Sequence, residues 1–181
     1  MATENFNENA RVFFALWPGV QERAALAAWQ PVLKDLCGGR AMRADNLHAT
    51  LVFLGDVTPR RLEALALAAQ EVQGEKFDLA FDLAHYWGHN HIVHAAPANI
   101  PPQLAQLVHD LEQGLVKHRF HFDQRNDYKP HVTLLRHAKW NDAPLPRMRE
   151  VRWHMTSFTL MQSASDELGA TYRELARFSL R

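Results

Sequence analysis

Apolar positions along the chain follow two rhythms, one of strands and one of helices. From Val12 to Trp17 the run is unbroken and of strand length, and Pro18-Gly19 end it. Val20, Ala24, Ala27, Leu33 and Leu36 then recur at helical intervals, a segment that Pro31 must kink or split before Gly38-Gly39 stop it. Leu47 to Leu54 reads as a strand closed by a turn at Gly55-Asp56. Thr58 and Pro59 look like the cap and first residue of a helix carrying Leu62, Leu65, Ala69 and Val72. Phe77, Leu79, Phe81 and Leu83 alternate with Asp78, Ala80, Asp82 and Ala84, the period of a half-buried strand. A hairpin tip at Gly88-His89-Asn90 should return it through His91 to Ala96. Pro101-Pro102 open a helix with Leu104, Leu107, Val108, Leu111 and Leu115 on one face. A polar loop, Asp123 to Lys129, leads to a strand from Pro130 to Leu135. After a proline-rich loop from Asn141 to Pro146, Val151–Met161 and Thr171–Leu180 read as two last strands.

That order, with neighbouring strands favouring antiparallel pairing, is α+β. At 181 residues the chain is sized for one domain, 1–181, with residues 1–10 as a polar lead-in lacking the charge and apolar run of a signal peptide. Apolar residues make up 47%, and 20 basic residues balance 20 acidic ones, so disorder is excluded. A neutral chain also lacks the global positive field of a nucleic-acid coat, and any nucleic acid must be gripped locally. The single cysteine, Cys37, excludes a disulfide scaffold and a cysteine zinc site and fits a reducing, cytoplasmic setting. The longest stretch free of Asp, Glu, Lys and Arg, Leu83 to His109, is too rich in histidine and proline for a bilayer core, so no membrane partner is expected.

One local pattern occurs twice. His48-Ala49-Thr50-Leu51 and His131-Val132-Thr133-Leu134 both fall on expected strands, 131 − 48 = 83 residues apart. Residues i and i+2 of a strand share a face, so each histidine projects with its threonine. Two such strands facing one another would line a cleft with two imidazoles and two hydroxyls. Imidazole titrates near neutral pH, so one can accept a proton while the other donates, and the hydroxyls can donate to phosphoryl oxygens. Such a site requires neither metal nor cofactor. The nearest carboxylates, Asp45 and Asp127, show no metal-ligand spacing.

The segments Asp45–Gly55 and Tyr128–Arg136, with the early strand Arg11–Leu16, resemble the two-histidine phosphoesterase superfamily. Within it they are most similar to the bacterial RNA 2′,3′-cyclic phosphodiesterases, also called 2′-5′ RNA ligases. The resemblance runs from Arg11 through the last strands. It implies a bilobal α+β fold of pseudo-twofold symmetry, with an antiparallel-rich sheet in each lobe, helices outside and a central cleft. It further implies metal-independent opening of a ribose 2′,3′-cyclic phosphate to a 2′-phosphate. RNA with such ends, or cyclic nucleotides, would be the partner. A compact two-lobed chain needs no second copy to complete its site, so a monomer is expected. By the same resemblance His131 is the base that activates water and His48 the acid that protonates the 3′ oxygen, although a near-symmetric site could run either way. Thr50 and Thr133 bind the phosphate, while Phe53 and Arg136 flank the nucleobase. Phe53 and Arg136 lie five residues after their histidines, an odd offset that points to the wrong face of a regular strand; a bulge or a strand end must turn them back. Phe53 as core, and Arg136 as a solvated strand-end charge, are the plainer alternatives.

Two departures from the common pattern are small. Ala49 stands where a larger aliphatic is usual, and Lys129 before Pro130 is a surface lysine or a positive charge at the cleft mouth. His85, His89, His91 and His94 fall on the hairpin, where alternation scatters them over both faces. A solvated hairpin or cleft rim is expected there rather than a metal site. His118 and His121 decorate a helix end, and Arg147, Arg149 and Arg152 beside Trp153 and His154 could meet a phosphate backbone or simply be solvated. The five tryptophans are too scattered to define a stacking platform. Rival functions are reversible 2′-5′ RNA ligation or 2′-5′ phosphodiesterase action, a non-catalytic RNA- or nucleotide-binding module, and a metal-dependent phosphoesterase built on the hairpin histidines.

Overall fold

The structure, a computed structural model, describes residues 9–124, 127–166 and 169–181. Two four-stranded sheets carry it. The first has the order β10-β9-β1-β3, from β1 (Ala10–Leu16), β3 (Ala49–Val57), β9 (Ser157–Asp166) and β10 (Gly169–Ser179). The second has the order β2-β7-β6-β5, from β2 (Arg40–Ala41), β5 (Leu83–Trp87), β6 (Ile92–Ala96) and β7 (Val132–Arg136). A two-stranded ribbon joins β4 (Phe77–Phe81) to β8 (Val151–Met155), and all pairings are antiparallel. Helices α3 (Pro59–Gln70) and α4 (Pro102–Lys117) pack on one another and on the first sheet, while α2 (Gln30–Cys37) packs on the second. Among the described residues no helix is long and apolar enough to cross a membrane.

The two sheets share one arrangement. In the first, Phe13, Phe14, Ala15 and Leu16 of β1 face Phe53, Val52, Thr50 and Ala49 of β3. In the second, Ile92, Val93, His94 and Ala95 of β6 face Arg136, Leu135, Thr133 and Val132 of β7. Each ladder skips one residue at the same place, Leu51 in β3 and Leu134 in β7, and each skipped residue is a β-bulge. The bulge shifts the alternation by one, so the position five after each histidine returns to the histidine's face. The freed Leu134 carbonyl accepts from the Met42 amide and from Gln30 Nε2, at 2.9 and 3.0 Å, which secures the second bulge from β2 and α2.

Several expected boundaries move. Pro31 does split the helical run, sitting in the first turn of α2 after α1 (Val20–Ala27). The strand from Phe77 breaks at Asp82, whose carboxylate accepts from the Ala98 amide at 2.8 Å. Its first half joins the ribbon and its second half the hairpin. Val151–Met161 likewise changes partners at Thr156, because β8 pairs with β4 and β9 with β1. Alternation continues across Asp82, and at Thr156 the apolar phase shifts by one residue with no proline or glycine to mark it, so each run reads as a single strand where the chain crosses between sheets. Gly55-Asp56 is not a turn: β3 runs through it, with Gly55 at φ 76° beside a second irregularity opposite Val12 and Phe13. β1 starts at Ala10, earlier than expected, and the lead-in through residue 8 lies outside the described residues. The two-residue β2 and the single 3-10 turn Ala44–Asn46 carried no periodic signal. Gly38-Gly39 do end α2, and Gly39 has a second reason to be glycine. At φ 84° its missing side chain would stand 2.6 Å from the carbonyl oxygen of Arg136, so glycine lets β2 close on the strand that carries that arginine.

The main core lies between the sheets and their helices, with Phe14, Leu16, Leu65, Leu104, Leu107, Leu134 and Phe158 buried. A separate small cluster, Phe13, Ala15 and Met161 with Trp17, Phe53 and Tyr172 against it, covers the opposite face of the first sheet. That face is a wall of the cleft.

Candidate active site

Both His-x-Thr pairs open on one cleft, and the local backbone explains how. His48 and His131 each sit one residue before their strand, and each ring is tied back to the carbonyl two residues earlier. His48 Nδ1 lies 2.7 Å from the Asn46 oxygen and His131 Nδ1 lies 2.8 Å from the Lys129 oxygen. A carbonyl can only accept, so Nδ1 carries the hydrogen in both rings. Asn46 is itself held, its Nδ2 donating to the Ala170 carbonyl at 3.0 Å. Tyr128, just before the second motif, donates its hydroxyl to the Thr50 carbonyl at 3.1 Å and ties the approach of one motif to the strand of the other.

The cleft has two arms. One, of about 650 Å³, is lined by all four motif side chains, His48, Thr50, His131 and Thr133, together with Arg11, Asn46, Arg136 and Tyr172. The other, of about 460 Å³, holds Glu112, Asp123, Asp127 and Lys129. Thr50, Phe53, Trp87, His89 and His131 line both. Phe53 is therefore a cleft residue and not core, and the Arg11 guanidinium lies over its ring at 4.9 Å. Arg136 is exposed at the end of β7 on the same arm. The structure thus brings together every site residue expected from the sequence.

The surroundings of the two imidazoles differ. Trp17 stacks flat on His48, with centroids 4.9 Å apart and 9° between planes, while Phe13 and Tyr172 close on it at 5.1 Å each. Burial in this cage, opposed by the bond to Asn46 and reinforced by the charges of His131 and Arg136, pushes the His48 pKa down to about 4. Burial also raises the Tyr172 hydroxyl, against the pull of Arg136. His131 meets Trp87 edge to face at 4.5 Å and His94 at 5.5 Å.

These contacts agree with most tryptophans being core or rim, and they correct the reading of the hairpin. Trp17 and Trp87 are site residues, one against each histidine. Trp29, Trp140 and Trp153 donate their indole N–H groups to the carbonyls of Arg149, Ala143 and Glu22 and serve packing. Trp153 is wholly buried against Phe81, and Arg152 and His154 pair with Asp78 on the ribbon, so the basic run is no stacking surface for a base. Nor are the hairpin histidines all solvated. His85 is exposed, His89 lines the cleft, and His94 is only 2% exposed. His94 was hidden because Ile92, Val93 and Ala95 surround it in a wholly apolar strand, where burial on both faces follows from the tertiary fold. Among the described residues no three metal-ligating side chains converge. His118 ends α4 facing Glu71 at 3.3 Å.

Two sheets of matching register, each delivering a histidine, a threonine and a bulged fifth residue to one cleft, define a two-histidine phosphoesterase architecture. The sequence of the LigT-like phosphoesterase family matches residues 16–94. The RNA 2′,3′-cyclic phosphodiesterase of Escherichia coli strain K12 is 30% identical over 174 residues, covering 96% of this chain and 98% of that protein. The crystal structure of E. coli LigT complexed with 3′-AMP superposes with a TM-score of 0.85 at 30% identity, over 96% of this chain and 99% of that one. The same enzyme complexed with ATP gives 0.81 at 31% over the same shares. The chain belongs to the LigT-like phosphoesterase family, and it is a phosphodiesterase hydrolase by that membership.

Proposed function

We propose that the protein hydrolyses RNA-terminal 2′,3′-cyclic phosphates to 2′-phosphates by paired-histidine acid–base catalysis without a metal. The observation that carries this reading is the matched setting of the two motifs, with each Nδ1 bonded to the i−2 carbonyl and both histidines lining the arm that also holds Thr50 and Thr133. In the reaction a water oxygen attacks phosphorus as the bond to the 3′ oxygen breaks. His131 takes the water proton and His48 delivers one to the departing 3′ oxygen, leaving a 2′-phosphate and a free 3′ hydroxyl. The threonine hydroxyls donate to the non-bridging oxygens as charge grows there. Phe53 and Arg136 hold the base by stacking and charge, with Arg11 behind Phe53.

Acting as the acid obliges His48 to be protonated, although burial holds it down near 4. The phosphodiester anion supplies the opposing charge, so substrate and proton bind together. E. coli LigT binds 3′-AMP and ATP, which fits a nucleotide end as the ligand. Cys37 is buried with a free thiol, consistent with a reducing cytoplasm, and every site residue comes from one chain, consistent with a monomer and a single domain.

The test is incubation of the purified protein, in excess EDTA, with an oligoribonucleotide ending in a 2′,3′-cyclic phosphate. Conversion to a 2′-phosphate end that disappears in His48→Ala and in His131→Ala is expected. Joining to a 5′-hydroxyl strand in place of hydrolysis would favour 2′-5′ ligation. Binding without product, unchanged by either substitution, would favour a binding module.

A further inference from the structure

The two sheets superimpose register on register, so each residue around one histidine has a counterpart around the other. Thr50 faces Ala15 on β1, and Thr133 faces His94 on β6. One strand further, Ala15 faces Thr159 and His94 faces His85, while Phe13 faces Met161 and Ile92 faces Trp87. The fold therefore closes the first half with alanine, threonine and methionine, and the same frame in the second half holds two imidazoles and an indole. Packing does not require a histidine at residue 94, because its counterpart Ala15 is fully buried without one.

His94 carries a cost that Ala15 does not. It is 2% exposed, and its Nδ1 is buried with no hydrogen-bond partner among the described residues. Trp87 lies over it at 4.0 Å, and the same indole meets His131 edge to face at 4.5 Å. His94 also meets the His131 ring at 77° with centroids 5.5 Å apart. Behind the ring, His131 Nδ1–H donates to the Lys129 carbonyl at 2.8 Å. Trp87 and His94 both pack against the same ring.

We propose, on the reading that His131 is the base of a cyclic phosphodiesterase, that His94 is a positioning residue that braces His131 and offers it a neutral polar edge as the imidazolium forms. When His131 takes the water proton its ring becomes cationic inside the protein. The indole of Trp87 and the imidazole of His94, whose Nδ1 has no hydrogen-bond partner among the described residues, are the rings that cation meets. Burial, with the charges of His131 and His85 adding, pushes His94 down to about 3, so His94 stays neutral and puts no second cation beside the first. His94 does not touch the phosphate. It acts through the ring it braces.

The test compares wild type, His94→Phe and His94→Gln on adenosine 2′,3′-cyclic phosphate, with kcat and KM separated, adenosine 2′-monophosphate binding by calorimetry, and thermal unfolding. Phenylalanine fills the space without a polar edge, whereas glutamine keeps one. The expected result is kcat reduced about tenfold in His94→Phe, with KM and product binding within about twofold, and most of the loss restored in His94→Gln. Wild-type kcat in His94→Phe, a glutamine variant no better than the phenylalanine one, or failure of both to fold would overturn the role and make His94 a packing residue. Absence of turnover by wild type would instead overturn the hydrolase reading, and this role with it.

Discussion

The two halves of the cleft are alike in backbone and unlike in surroundings. Each histidine gives its Nδ1–H to the carbonyl two residues back, each is followed by a threonine on the same face, and each strand bulges at the leucine after that threonine. Yet His48 lies flat against Trp17 inside a cage with Phe13 and Tyr172, whereas His131 stands edge-on to Trp87 and His94. The likeness comes from a repeated strand pattern, and the unlikeness from elements the repeat does not include, such as β10, which supplies Tyr172, and β5, which supplies Trp87. Two imidazoles of equal intrinsic basicity placed in unequal surroundings need not share one proton affinity, and an acid–base pair depends on such a difference.

The comparison breaks first at the imidazoles themselves. His48→Ala and His131→Ala should each lower kcat by roughly 100- to 10,000-fold, and single-turnover kinetics on a cyclic-phosphate end would read it. Near-normal turnover in either variant would mean that the halves do not work as a pair. Thr50→Val and Thr133→Val remove one donor each and should each cost on the order of tenfold or more in kcat. A loss confined to one of them would show the phosphate held from one side only.

Acid stability sharpens the contrast in another way. Burial lowers the folded-state pKa of His48 to about 4 and of His94 to about 3, below the ordinary histidine value of 6.5 in the unfolded chain. Between those values the unfolded state binds more protons than the folded one, so stability falls as pH drops below 6.5 and this loss levels off only near 4 and 3. Each histidine steepens the fall by at most about 1.4 kcal/mol per pH unit. Urea unfolding midpoints from pH 7 to 4 should therefore decline less in His94→Phe than in wild type, and parallel curves would contradict the assignment. The smallest effect is expected at Tyr128→Phe, which deletes the hydroxyl bond to the Thr50 carbonyl and should cost about 1 kcal/mol. Denaturant titration would measure it, and a fall in kcat at unchanged KM would show that the tie also holds the first motif in place.

Much of the site was legible because the chemistry is carried by short patterns on strands. His48-x-Thr50 and His131-x-Thr133 announce a shared face, and the odd offset of Phe53 and Arg136 required a bulge or a strand end, of which the structure has bulges, at Leu51 and Leu134. Less of the fold was legible at the points where a strand changes sheet. Asp82 and Thr156 sit inside runs with no proline or glycine at the break, and a residue's face relative to its neighbours says nothing about which sheet it joins. Trp17, Trp87 and His94 were illegible for a related reason. An indole beside a proline and a histidine within an apolar run have no spacing that marks them, and their roles follow from contacts between strands far apart in sequence.

By itself the sequence determined the α+β order, the two His-x-Thr strands, the residues they present and the family to which the chain belongs. All of these depend on spacing along one strand, which the pleat converts directly into a face. The tertiary structure alone decided which rings surround each imidazole, that one cleft has a basic and an acidic arm, and that His94 stands buried where the other half has Ala15. Proton affinity depends on burial and on charges within a few ångströms, and those neighbours are assembled by packing between sheets, not by the order of residues within them.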